Sequence, residues 1–142
     1  WEAIKQQERV DKGEDETLAD IPMALPSLSR AYKLQKRAAS VGFDWTNPKD
    51  VLAKVKEEIA ELEVEIAKGD RLAMEDEMGD LLFSCVNLAR HLSIDPGKAM
   101  RLSSNKFKRR FEAMELLAAG ETFSTMTAAE MESLWSRVKA QE

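Results

Sequence analysis

The chain has 142 residues, of which 44% are hydrophobic and 33% charged, with a formal net charge of −5. That length suits one domain with its own core, and basic residues interspersed with acids argue against a general nucleic-acid surface. One cysteine, Cys85, is too few for a disulfide framework or a CxxC zinc site, and no stretch reads as a signal peptide or membrane span. The expectation is a cytoplasmic protein with no membrane or nucleic-acid partner. Cys85, inside the apolar run Leu81-Leu82-Phe83-Ser84-Cys85-Val86, is expected to be a buried free thiol. A chain that opens on Trp1 without an initiator Met is expected of a fragment.

Taken in order, residues 1–12 are compatible with a short helix, and Lys12-Gly13-Glu14-Asp15-Glu16 reads as a charged connector. Ile21-Pro22 and Leu25-Pro26 keep the backbone out of helix. Residues 1–20 therefore form an N-terminal segment, and 21–142 the domain. A helix is predicted from about Ser27 to Ser40, ending at Gly42. Asn47-Pro48 is an N-cap followed by proline at the first helical position, and Leu52, Val55, Ile59, Leu62 and Ile66 follow at helical spacing. Gly69-Asp70 breaks that helix. The next runs from about Leu72 to Leu92, with Met78, Leu81, Leu82, Cys85, Leu88, Ala89 and Leu92 as core candidates.

Asp95-Pro96 repeats the cap-plus-proline signal before a helix carrying Met100, Phe107, Phe111, Met114 and Ala118, which Gly120 ends. Thr127-x-x-Glu130 is a capping-box match ahead of Met131, Leu134, Trp135 and Val138. No strand-like alternation competes. The predicted fold is all-α, an antiparallel bundle of four main helices plus a short terminal one.

Four acids stand out against this background. Glu58/Glu61 and Glu77/Asp80 are two pairs, each spaced i, i+3, with midpoints equally far from Gly69. If Gly69-Asp70 closes an antiparallel hairpin, both pairs sit at one height, roughly 14 Å from the turn at about 1.5 Å per residue. On the helical wheel Lys54, Glu58, Glu61 and Glu65 share an arc of roughly 60° beside the apolar stripe. Glu77, Asp80, Ser84, Asn87 and His91 share a similar flank of roughly 80° on the next helix. Glu65 faces Ala73 across the hairpin, so height selects Glu58, Glu61, Glu77 and Asp80. Glu57 is a candidate fifth oxygen donor, or a base behind the four.

Carboxylates converging at one level repel unless a positive charge lies between them. All-oxygen ligation suits Mg²⁺, or Mn²⁺ as a substitute, and argues against zinc or copper. A di-iron bundle site needs Glu-x-x-His motifs, and the only histidine, His91, is in none. Sites of this kind commonly borrow ligands from substrate phosphates, for which Lys106 and Arg110, i and i+4 on one helix, are candidate partners. Trp135 and Lys139 are also i, i+4. By the residues alone, acid-rich and base-rich faces are more often solvated surface, and a lone tryptophan more often core.

The strings Glu57-Glu58-Ile59-Ala60-Glu61 and Glu77-Met78-Gly79-Asp80, with fifteen residues between them, resemble the EExxE…ExxD pattern of the all-α nucleoside triphosphate pyrophosphohydrolases. Val41-Gly42-Phe43-Asp44-Trp45 and the run from Asn105 to Phe111 are similar to MazG proteins in particular, over about Ile21 to Lys139. The likeness is best to the C-terminal of the two domains in bacterial two-domain members. It implies Mg²⁺-dependent hydrolysis of NTPs and dNTPs to the monophosphate and pyrophosphate, by a homodimer that completes the bundle. By the same resemblance Glu58, Glu61, Glu77 and Asp80 match metal-binding acids, and Glu57 the first acid of the motif. Lys54, Lys106 and Arg110 match basic residues facing phosphates, and Trp135 and Lys139 match nucleotide contacts.

A triphosphate carries about four negative charges, so metal and basic residues must compensate those of the acids. A metal acidifies bound water and clamps the phosphate for in-line displacement, with water attacking the α-phosphorus and pyrophosphate leaving. Glu57 or Glu61 is the expected proton acceptor. Phe43 and Trp45 are read as core or dimer packing ahead of base stacking, His91 as a surface residue, and Asn87 as a possible but disfavoured substrate contact. Two alternatives stay open: a catalytically silent helical dimerisation or regulatory module, and a narrow dUTP- or dCTP-type hydrolase.

Overall fold

A computed structural model of the chain describes residues 1–11 and 16–142, with the side chains of 9–11 left aside. Residues 12–15, most of the connector expected from the sequence, lie outside the described residues. The described residues form six α-helices and no strand, as the all-α reading requires: α1 Glu2–Asp11, α2 Ser27–Ala39, α3 Pro48–Lys68, α4 Arg71–His91, α5 Pro96–Leu117 and α6 Ala128–Ala140. A single 3₁₀ turn, Phe123–Thr125, precedes α6. The chain divides into two compact units, 1–97 and 98–142.

Local chemistry sets each boundary. Asn47 caps α3 by accepting from the Asp50 N–H at 3.1 Å, and Pro48 occupies the first position, where its missing N–H costs nothing. Gly69 ends α3 in the left-handed conformation, φ 73°, and its N–H reaches the Glu65 carbonyl at 3.0 Å. Asp70 at once caps α4 by accepting from the Ala73 N–H at 3.2 Å. Two residues thus stop one helix and start the next. Thr127 caps α6 through the Glu130 N–H, as the capping box predicts.

In the first unit α3 packs along α4, and α2 also packs on α4. Its buried apolar residues are Ile21, Val51, Val55, Leu62 and Val86. The expected α3 stripe therefore splits. Val55 and Leu62 face inward, whereas Leu52, Ile59 and Ile66, seven residues apart, are exposed. On α4, Met78, Leu82 and Leu92 are likewise exposed, and so is Cys85, which is not the buried thiol its apolar neighbours suggested. These helices carry two apolar arcs, and a periodicity count merges them into one.

The second unit has its own small core of Met114, Ala118, Leu134 and Val138, with Phe123, Met131 and Trp135 packed against it. Met100, Phe107 and Phe111, core candidates by spacing, are exposed. The rings of Phe107 and Phe111 still touch Trp135 and Phe123, at centroid distances of 5.7 and 5.0 Å respectively. No helix among the described residues is long and apolar enough to cross a membrane.

The Asn47 cap gives a direct check on this account. Asn47→Ala should lower stability by about 1 kcal/mol and Asn47→Gly by only a few tenths. Urea denaturation measures both, and equal losses would show that the side-chain cap is not what starts α3.

Candidate metal centre and adjoining cavity

The α3/α4 hairpin brings acids from both helices to one level. Glu58, Glu77 and Asp80 each present a carboxylate oxygen, and these lie within 4.8 Å of one another. Glu58 is buried, Glu77 half-buried and Asp80 exposed. Glu58 Oε2 and Glu77 Oε2 are closed off from solvent with no hydrogen-bond donor facing them. Buried carboxylate oxygens without partners are rare because desolvation is costly. This donor set fits a hard, oxygen-seeking divalent cation.

Charge around the trio is uneven. Lys54 Nζ lies 3.0 Å from Glu58 Oε1 and 3.3 Å from Glu57 Oε1. The hydrogen bond from Lys54 holds the Glu58 carboxyl below its usual range despite burial, and the contact with Glu58 raises Lys54 in turn. Glu61, the fourth acid of the expected set, stands beside the trio. A hydrogen bond shared with Glu58, local desolvation and the charges of Glu58 and Glu77 push it up to about 7. Glu77 is raised, first by desolvation and then by Asp80 and Glu58. Glu57 is more than half exposed and salt-bridged to Lys54.

A cavity of about 380 Å³ adjoins the acids. Glu58, Asp80 and Lys54 line it together with Phe43, Trp45, Leu34, Val51 and Phe83. The buried polar residues among those described are Gln35, Glu58, Ser84 and Asn87, and all four line this cavity. Phe43 and Trp45 are therefore not core residues of the chain, being 76% and 42% exposed at the cavity wall. Asn87 is buried there, with Oδ1 accepting from Arg90 Nε at 3.1 Å. Gln35 escaped the sequence reading. Its one signal was a polar residue seven positions after Leu28 and four after Ala31, within the apolar stripe of α2.

The loop that carries Phe43 and Trp45 is pinned by one ion pair. Gly42, at φ 94°, turns the chain out of α2. Asp44 then accepts from both Arg90 terminal nitrogens, at 3.1 and 2.5 Å, and from His91 Nε2 at 2.8 Å. His91 is thus drawn in rather than left on the surface, its side chain only 9% exposed.

In the second unit Arg110 donates to both carboxylate oxygens of Glu142, at 2.6 and 2.7 Å, and lies over the Trp135 ring at 5.5 Å. That bond raises Arg110 and lowers Glu142, on which Lys106 also acts. Lys139 is exposed one turn beyond Trp135.

An all-α hairpin with converging carboxylates defines a class of helical, acid-centred proteins, and comparison with known proteins narrows it. Residues 46–114 match the MazG nucleotide pyrophosphohydrolase domain, in line with the resemblance drawn from the acidic strings. It is 46% identical to the Escherichia coli (strain K12) nucleoside triphosphate pyrophosphohydrolase, over 100% of this chain and 56% of that protein. It is 40% identical to the Thermotoga maritima nucleoside triphosphate pyrophosphohydrolase/pyrophosphatase MazG, over 98% of this chain and 54% of that one. The uncharacterized protein YabN of Bacillus subtilis (strain 168) is 39% identical, over 100% of this chain and 29% of its own length. The chain thus spans about half the length of the E. coli and T. maritima relatives.

The pinned loop yields a pH test. Asp44 is lowered from the ordinary 3.8 to about 2, mainly by the Arg90 hydrogen bonds and then by His91. A depressed carboxyl stabilises the fold above the unfolded pKa and loses that contribution as pH falls through the folded one. Asp44→Asn should cost about 1 kcal/mol at neutral pH, and the gap to wild type should close between about pH 4 and 2. Denaturation across that range reads it, and a gap independent of pH would sink the ion pair's role.

Proposed function

We propose that this chain hydrolyses nucleoside triphosphates, ribo and deoxy, to the monophosphate and pyrophosphate, with a Mg²⁺ ion held by Glu58, Glu77, Asp80 and Glu61. The observation that carries this reading is the converging carboxylate trio, with its shielded, unpartnered oxygens. The names of the E. coli and T. maritima relatives supply the reaction class. When bound, the cation supplies Lewis-acid charge to the phosphate oxygens and acidifies the attacking water.

The chain's own residues divide the remaining work. The attacking water forms a bond to the α-phosphorus, the bond from that phosphorus to the pyrophosphate oxygen breaks, and the water's proton goes to a carboxylate. Glu57, 3.3 Å from Lys54, or Glu61, beside the trio, is the acceptor in this reading. Lys54 offsets the negative charge that gathers as substrate enters. Lys106, Arg110, Trp135 and Lys139 belong to this reading as phosphate and nucleotide contacts, supported by the basic and aromatic grouping around Arg110 and Trp135.

The same reading includes a homodimer. Leu52, Ile59, Ile66, Met78 and Leu82 leave apolar surface on both helices of the hairpin, more than a lone surface helix usually exposes. A second copy covering that surface would complete the bundle. Leu82→Lys should then convert a dimer to a monomer in analytical ultracentrifugation. A wild-type chain that sediments as a monomer at assay concentration would remove the dimer from the proposal.

Turnover is tested by incubating each NTP and dNTP with and without Mg²⁺ and resolving the products. Monophosphate plus pyrophosphate is expected, and none of either in the absence of divalent cation. Asp80→Ala or Glu61→Ala should lower kcat by about 10²–10³-fold at saturating Mg²⁺. Diphosphate plus phosphate as products would move the attack off the α-phosphorus. No turnover of any nucleotide would leave a helical binding module.

A further inference from the structure

The α2 helix is the one α-helix among the described residues that carries no acid. Its 13 residues instead hold Arg30, Lys33, Lys36 and Arg37, in a chain whose formal net charge is −5. Like charges three and four residues apart on a helix repel one another. Lys36 and Arg37, in the last turn, complement the dipole at the end of α2. Lys33 sits a turn earlier and has no such part.

This basic stripe faces a space of its own. Lys33, Lys36, Arg37 and Ser40, at i, i+3, i+4 and i+7, line a second cavity of about 540 Å³. Leu34, Gln35 and Ala38 line the cavity beside the acids. At about 100° per residue the two sets are centred roughly 160° apart, so the second cavity lies behind α2, away from the carboxylates. Lys5 enters it from α1, half-buried, with Nζ 4.6 Å from the centre of the Trp1 ring. Glu2 and Asp20 complete the charged lining.

The charges there are unequally engaged. Both carboxylate oxygens of Asp20 accept from Arg37, whose Nη1 also donates to the Thr17 carbonyl at 3.1 Å. That pair ties the segment before α2 to the helix and cancels its own charge. No carboxylate among the described residues lies within ion-pair distance of Lys33 or Lys36. These two lysines and Lys5 therefore outnumber the one remaining acid of the lining, the exposed Glu2. The volume is that of a small-ligand site, about 300–1,000 Å³. Several ammonium groups around one space suit an anion with charge on more than one centre, and lysine point charges suit phosphate oxygens.

We propose that the cavity between α1, residues 20–22 and α2 is a binding site for an oligophosphate group, held by Lys33, Lys36 and Lys5. It is distinct from the carboxylate trio and needs no divalent cation. The proposal therefore stands whether or not the chain turns over nucleotides. Free pyrophosphate and the phosphate tail of a nucleotide offer the same chemistry to these ammonium groups.

The test titrates the full chain with inorganic pyrophosphate, in EDTA and at low salt, while backbone amide shifts are followed by NMR. Without divalent ions the carboxylates repel pyrophosphate, so their site stays out of the measurement. Saturating shifts are expected at the amides of residues 33–40 and of Lys5. Lys33→Gln combined with Lys36→Gln should weaken that binding about ten-fold or more, because two charge-assisted contacts are lost. Both lysines are exposed, so the double variant should keep the wild-type Tm. Lys5→Gln, on a different helix, should weaken binding several-fold and serves if the double variant does not fold. An affinity unchanged by these substitutions would overturn the proposal, as would shifts confined to the second unit around Lys106 and Arg110. Equal shifts with sodium chloride at matched ionic strength would reduce the effect to screening and overturn it too. ATP and pyrophosphate, compared without metal, separate the sources. Tighter binding of ATP assigns the site to a nucleotide, and tighter binding of pyrophosphate assigns it to the free oligophosphate.

Discussion

Mutual repulsion among carboxylates is the constraint around which the first unit is organised. Glu58, Glu77 and Asp80 bring oxygens within 4.8 Å, and Glu61 joins them from the same face of α3. Lys54 pairs with Glu58 alone of the trio, so the strain is resolved unevenly. Glu58 stays ionised against Lys54, whereas Glu61 and Glu77 are pushed toward the protonated form. Such an arrangement costs stability in the fold, a cost that a bound divalent cation would offset. Two buried oxygens left without donors are the structural trace of that cost.

The elements around the cluster make sense as means of holding it. Gly69 and Asp70 end one helix and begin the next with no residues between, which fixes the level of α4 against α3. A longer loop would let the helices slide, and a shift of one turn would separate the acid pairs by about 5 Å. The α2 helix is tied to α4 by Gln35 and the Phe83 carbonyl, and the loop after α2 by Asp44, Arg90 and His91. These contacts enclose the space next to the acids and set aromatic rings along it. The polar groups that a core normally excludes are gathered there instead.

Buried polarity and exposed apolarity are complementary in this chain. Leu52, Ile59 and Ile66 face outward on the same helix whose Glu58 faces inward. Folding one copy therefore does not bury all the apolar surface that α3 and α4 carry. The Arg110, Trp135 and Glu142 grouping shows a related economy within the second unit, where a carboxylate of the chain itself fills the guanidinium fork.

Much of this was legible in the residues. Proline at Pro48 and Pro96, glycine at Gly69 and a capping box at Thr127 act on backbone atoms a few residues away, so they declare helix ends without reference to the rest of the fold. The level of the acid pairs followed from counting to the turn, because helical rise is constant. What the sequence could not rank was burial. Cys85, Leu82 and Ile59 sit at core-like spacing yet face outward, while His91 is drawn in by an aspartate forty-seven positions away. Gln35 became legible as a buried polar residue only once α2 lay on α4 and its amide reached the Phe83 carbonyl. Short-range rules determined the helices and the height of the acids; which face of each helix meets a neighbour, and so which polar atoms lose their water, was decided by long-range packing alone.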